Sequence, residues 1–206
     1  MTLREDFGAT CGVSVTILVD NRADLLLKSS EVVKYYHDEP LLAEHGFAAL
    51  IHLRETGTRI LWDSGMTAGT MMENMRRLKI DPRTIDAIAL SHGHDDHSAG
   101  MTAVLQSMAL QPQAKEWPAT ATMEEMERYA ASRRAPLVAH PAAFRERWSI
   151  QDDGRKYGPE MGPARAEWEA AGAEVILSEG PYRLAQGCWT TGMEPRTGWE
   201  VSGLGK

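Results

Sequence analysis

Ser91-His92-Gly93-His94-Asp95-Asp96-His97-Ser98-Ala99-Gly100 is the stretch on which the reading of this chain turns. Three of the chain's seven histidines fall within it, with two aspartates between the second and the third. The apolar run Ala87-Ile88-Ala89-Leu90 precedes it, and a helix-like run from Ser98 to Ala109 follows. The stretch therefore lies where a buried strand ends and a helix begins, a place from which side chains converge in a loop. Imidazole nitrogen and carboxylate oxygen together suit zinc, and also manganese or iron. His92 and His94 are two apart, so in an extended segment they point the same way, and Gly93 lets the backbone curl between them. Asp96 and His97 offer a second pair beside the first. The layout is that of a two-metal site, with His92 and His94 for one ion and Asp96 and His97 for the other.

Working outward toward the N-terminus, Asp86 to Leu90 is the strand that delivers this loop. Before it, residues 68–79 carry Met71, Met72, Met75 and Leu78 at helical spacing, and Asp81-Pro82 stops that helix. The methionines read as core packing. Phe47 to Leu53 and Arg59 to Asp63 are two strands joined by the turn Glu55-Thr56-Gly57-Thr58. Val13 to Val19 is a β-branched, alternating strand with one face buried. The polar stretch 22–45 is long enough to expect a functional loop.

Toward the C-terminus, Met101, Val104, Leu105 and Met108 form the apolar face of the helix after the loop. Residues 111–121 read as a loop, and a short charged helix ends near Arg133-Arg134; this insertion is either a lid over the site or a surface helix. Pro136 to Ala139 is a short apolar strand followed directly by His140, so a buried strand again presents a histidine at its end. Ala142 to Trp148 is expected as a short helix, 151–163 as a loop, Ala164 to Ala171 as a helix with Trp168 inward, and 174–177 and 188–191 as strands.

The 206 residues suffice for a domain with a real core. The formal net charge of −7 argues against a nucleic-acid surface and an anionic membrane, both of which need basic patches. Cys11 and Cys188 are too few for a disulfide framework and read as thiols of a cytoplasmic protein. The N-terminus shows no basic region followed by an apolar core, and no apolar run is long enough to span a membrane.

Ser-His-Gly-His-x-Asp-His-x-x-Gly resembles the signature of the metallo-β-lactamase superfamily. That resemblance implies an α/β fold, an αββα sandwich with its metals at one edge. It also implies that Asp63, in Asp63-Ser64-Gly65, lies beside the metal loop and orients a ligand. Further segments resemble the branch of the superfamily named after the synthase of dihydropterin-methyl-ribofuranosyl-aminobenzene phosphate. They are Leu18-Val19-Asp20-Asn21, Ala43-Glu44-His45-Gly46, Ile60 to Gly65, Ala139 to Phe144 and Thr190 to Arg196. Such proteins continue past the point at which this sequence stops. The expectation is one domain over 1–206 holding the N-terminal part of the sandwich, with exposed apolar sheet that favours a homo-oligomer.

The function expected is a metallo-hydrolase, or a related transferase, using a metal-bound hydroxide on a small molecule, phosphorylated ones included. The cofactor expected is a pair of divalent ions, zinc first and manganese or iron as alternatives. Asp96 would also steer the nucleophile's proton. His45 and His140 are candidates for further ligands or substrate contacts, and Arg196 for a phosphate contact through its planar fork or for a surface ion pair. Two readings stand beside this one: an iron-dependent oxidoreductase on the same fold, and a non-catalytic, truncated metal-binding module.

Overall fold

The computed structural model describes residues 7–24, 26–108, 117–131, 134–160 and 162–193. Its centre is a mixed six-stranded sheet in the order β1-β2-β3-β4-β5-β8. The first strands, β1 (Val13–Val19), β2 (Ala48–Leu53) and β3 (Thr58–Trp62), form an antiparallel meander. The chain then enters helix α1 (Ala68–Arg77) and returns as β4 (Ala87–Ala89), parallel to β3. After β4 come two helices, α2 (Asp95–Ser98) and α3 (Met101–Met108). Helix α4 (Met123–Ala131) precedes β5 (Ala135–Ala139), which lies parallel to β4. A 3-10 turn, Pro141–Phe144, leads into the hairpin β6 (Arg147–Ile150) and β7 (Lys156–Glu160). Helix α5 (Arg165–Ala170) and β8 (Ala173–Leu177) close the sheet, and a last hairpin joins β9 (Tyr182–Ala185) to β10 (Cys188–Thr190).

Alternation along the strands divides the sheet into two faces. Leu18, Ala48, Leu50, Leu61, Ile88, Leu137 and Ala139 face the helices. They pack against Met71 and Met75 of α1, Met101, Val104 and Leu105 of α3, and Trp168 of α5. The methionines expected in the core are there, Met71 and Met75 being almost wholly buried. The opposite face carries Leu53, Ile60 and Ala87, covered by Leu184, Ala185 and Cys188 of the β9–β10 hairpin. The arrangement is a helix-backed sheet with a second β layer on its other side, the mixed α/β architecture expected from the sequence. Along β1 that second face stays exposed at Val13, Val15 and Ile17.

Three local expectations need correction. The segment Ala142 to Trp148 is not one helix: the 3-10 turn ends at Phe144, and Arg147 already pairs as a strand with Glu160. Likewise 151–163 is not all loop, because Lys156 to Glu160 is the return strand. The helix after the histidine motif also begins earlier than Ser98, at Asp95. Among the described residues no helix is long and apolar enough to cross a membrane. Cys11 is exposed and Cys188 half-buried, and both are free thiols.

Candidate metal centre

Parallel pairing of β3, β4 and β5 aligns the ends of three strands at one edge of the sheet. The end of β3 is followed by Asp63, that of β4 by Ser91 and His92, and that of β5 by His140. Backbone bonds knit these ends together: Asp63 N–H donates to the Ala89 carbonyl (3.0 Å), Leu90 N–H to Val138 (2.9 Å) and Ser64 N–H to His97 (2.8 Å). From the other side Phe47 N–H donates to the Asp96 carbonyl (3.1 Å), which brings the β1–β2 loop to the same edge. Gly46, at φ 130, permits that approach, since a Cβ there would overlap the Asp96 carbonyl.

Asp63 organises the cluster. It is fully buried and sits at φ 60, a left-handed backbone that few residues other than glycine, asparagine and aspartate adopt. Its carboxylate receives the Ser91 N–H (2.7 Å), the Ser91 hydroxyl (2.6 Å) and a proton from His97 Nδ1 (2.7 Å). A carboxylate only accepts, so the His97 proton is on Nδ1 and its Nε2 carries the free lone pair. The same logic passes through Ser91 to His92. The single hydroxyl proton of Ser91 goes to Asp63, so His92 Nδ1, 2.9 Å from that oxygen, must be the donor. His92 Nε2 is then also an open acceptor. Burial, and then the neighbouring His97 and His94 rings, push the His92 imidazole below its ordinary pKa, which favours the neutral ring.

Both nitrogens lie beside further atoms of ligand type. His92 Nε2 lies 3.1 Å from His94 Nδ1, and His97 Nε2 lies 3.4 Å from Asp96 Oδ2. Two donors on one tetrahedral zinc, each bonded at about 2.0–2.1 Å, stand about 3.3 Å apart. Donor atoms of His92, Asp96 and His97 all fall within 4.8 Å of one another, a group that could hold a metal ion. The residues present thus fit a divalent cation in both donor chemistry and spacing.

His45 and His140 occupy different positions around this group. His45 Nδ1 is 3.2 Å from Asn21 Oδ1, and its Nε2 is 3.4 Å from Asp96 Oδ2, on a side chain that is 74 % exposed. His140 uses Nδ1 to accept the Ala142 N–H (3.1 Å) as the cap of the 3-10 turn. Its Nε2 is buried without a hydrogen-bond partner, an unusual state for a polar atom. Arg196 lies outside the described residues.

Three contributors were not singled out by pattern. Ser91 is the relay between Asp63 and His92; its place at the end of β4, beside the end of β3, could have suggested it. Glu44 accepts the Met66 N–H (3.0 Å), the Thr67 N–H (2.9 Å) and the Thr67 hydroxyl (2.6 Å), and so ties the His45 loop to the start of α1. Arg147 donates Nη1 to the Gly93 carbonyl (2.7 Å) and Nη2 to the carbonyls of Ala142 (3.1 Å) and Ala143 (3.0 Å). An arginine in a charged stretch gives no local sign of such a role. Asp95, beside it, has its carboxyl pushed above the usual range by burial and by the nearby charges of Asp96 and Glu160.

Comparison with known proteins places this geometry in context. A family model described as the metallo-beta-lactamase superfamily matches residues 41–164. The 7,8-dihydropterin-6-methyl-4-(beta-D-ribofuranosyl)-aminobenzene-5'-phosphate synthase of Methanocaldococcus jannaschii is 27 % identical over 158 residues, 76 % of this chain and 46 % of the relative. An uncharacterised protein of the same organism is 26 % identical over 182 residues, 88 % of this chain and 54 % of the relative. The chain therefore spans about half the length of these curated relatives. Among solved structures, a quorum-quenching N-acyl homoserine lactone lactonase superposes with a TM-score of 0.41 at 16 % identity, covering 70 % of this chain and 49 % of that one.

Proposed function

The chain belongs to the metallo-beta-lactamase superfamily, whose model covers more than half of it, and from that premise we propose a metal-dependent hydrolase, or a related transferase, acting on a small molecule. Phosphorylated substrates are included, in keeping with the phosphate ester named for one relative. The observation that carries the reading is the convergence of ligand-type atoms: those of His92, Asp96 and His97 lie within 4.8 Å of one another, and His94 Nδ1 is 3.1 Å from His92 Nε2.

In this reading His92 and His94 hold one divalent ion and Asp96 and His97 a second, with zinc the best match to the donor set. An ion bound there supplies a Lewis acid that lowers the pKa of water to about 7 and polarises a carbonyl or phosphoryl oxygen. Asp63 keeps His97 and, through Ser91, His92 in the tautomers that present Nε2. Asp96 Oδ2 stands between His45 Nε2 and His97 Nε2 and is placed to take a proton from a water molecule in the site. The exposed His45, oriented by Asn21, offers Nε2 to a substrate at the rim. With Nδ1 accepting from Ala142, the unpartnered Nε2 of His140 carries the ring's proton and offers an N–H to a substrate oxygen at the same sheet edge.

Hydrolysis of a generic phosphodiester and of a lactone by the purified chain, with and without added zinc or manganese, tests the reading. Metal-dependent turnover that His94→Ala abolishes is the expected result. Turnover unchanged by His94→Ala removes the reading, and oxygen consumption with bound iron replaces hydrolysis by redox chemistry.

A further inference from the structure

We propose that Arg147 is a positioning residue that clamps the His92-Gly93-His94 loop to the His140–Ala143 turn and thereby sets how tightly the site holds its ion. The inference rests on the reading of this cluster as a metal centre, and adds to it a residue that touches none of the donor atoms named above.

The Arg147 guanidinium directs its N–H groups at main chain. Its three hydrogen bonds go to backbone carbonyls, those of Gly93, Ala142 and Ala143, at 2.7–3.1 Å. Gly93 lies between His92 and His94, and Ala142 and Ala143 belong to the turn that His140 caps. One side chain thus joins the backbone of two segments that each present histidines. A planar fork with several fixed donors can do this, whereas an ammonium offers a single point of contact.

Steric fit between the two segments is equally specific. A Cβ on Gly93 would overlap the Ala143 carbonyl oxygen and would lie 2.7 Å from Arg147 Nη2. The loop and the turn are therefore in backbone contact, and the arginine fills the angle between them. Gly162 lies against the outer side, where a Cβ would be 3.7 Å from both Arg147 Nη1 and the Gly93 carbonyl oxygen. Carbonyls crowded together repel, and a half-buried cation offsets that repulsion.

The clamp also ties the β6–β7 hairpin to the His92-Gly93-His94 loop. Arg147 is the first residue of β6 and pairs with Glu160 of β7. Glu160 accepts the Ser149 hydroxyl and is near enough to Asp95 to act on its charge. Without the guanidinium, the donor atoms of His92 and His94 would lose the backbone frame that sets their spacing. Loss of outer partners of metal ligands typically costs about 10–100-fold in affinity.

The test is cobalt binding by the full chain, by competition against a chromophoric chelator, with the visible spectrum of the bound ion recorded. Arg147→Ala is expected to weaken binding about 10–100-fold and to change the cobalt spectrum. Arg147→Lys keeps the stem and charge but not the fork; it is expected to bind measurably weaker than the parent, and decides the matter if the alanine variant does not fold. Melting of the metal-free proteins, run alongside, separates a general loss of stability from a change at the site. Parental affinity and spectrum in Arg147→Lys, or in a folded Arg147→Ala, overturn the clamp. A parent chain that binds no cobalt overturns the metal reading itself, and the clamp with it.

Discussion

Asp63 accepts from three donors in a fully buried position. An asparagine has the same size and tolerates the same backbone, but its amide has one acceptor oxygen in place of two. In Asp63→Asn at least one of the Ser91 hydroxyl, the Ser91 N–H and His97 Nδ1–H therefore faces an NH2 group. The expected outcome is cobalt or zinc binding weakened by about 10–100-fold, read by chelator competition; unchanged affinity would contradict the tautomer argument. Glu44 makes a prediction in pH. Burial alone would raise its pKa from 4.5, but the hydroxyl and N–H of Thr67, the Thr70 hydroxyl and the Met66 N–H together bring it below that value. A lowered folded-state pKa means stability that is present above the unfolded value and lost as pH falls through the folded one. Glu44→Gln should therefore lower the melting temperature at pH 7, and the gap to the parent should close as pH drops below about 4. A gap that widens in acid would contradict the assigned bonds.

Elements show why some of this structure could be read from sequence and some could not. Val13 to Val19 and the apolar run before His92 are legible because alternation and burial dominate there. The hairpin of β6 and β7 is not, because Asp152-Asp153-Gly154 and Gly158-Pro159 look like loop composition while the strands are exposed and carry no core pattern. Helix α2 begins at Asp95 because the chain turns immediately after His94, so Asp96 and His97 reach the site from a helical turn rather than from an extended loop. The resemblance names both the histidine cluster and Asp63 as its orienting carboxylate; the bonds of Ser91 to Asp63 and of Arg147 to the Gly93 carbonyl carry no local sign, since they join distant segments. Helix α1 has a similar hidden tie. Buried Asn74 donates to the Leu18 and Leu42 carbonyls (2.8 Å each) and accepts the Leu42 N–H (2.8 Å), pinning the long β1–β2 loop. Asn74→Ala should destabilise the chain by about 2–3 kcal/mol in urea unfolding and raise amide exchange around Leu42. A change within about 0.5 kcal/mol, the usual range for an unremarkable surface position, would contradict that tie.

For the molecule as a whole, the sheet's two faces carry different weight. Leu61 is wholly buried against the helices, whereas Val15 on the other face is 55 % exposed. Leu61→Ala is expected to cost about 2–5 kcal/mol and Val15→Thr less than about 1 kcal/mol, both from chemical denaturation; similar costs at the two sites would contradict the layering. Asp63, His92 and His140 follow the aligned ends of β3, β4 and β5, so the packing of the helix-backed face places them at one sheet edge. On the function proposed above, this edge holds a divalent cation. The most direct test is the metal content of the chain, purified without chelators and analysed by mass spectrometry of the elements, beside the double variant His92→Ala, Asp96→Ala. At least one equivalent of zinc, manganese or iron is expected in the parent, and its loss in the folded variant. A parent chain with well under one equivalent, whose melting temperature does not rise when those ions are added back, would contradict that function.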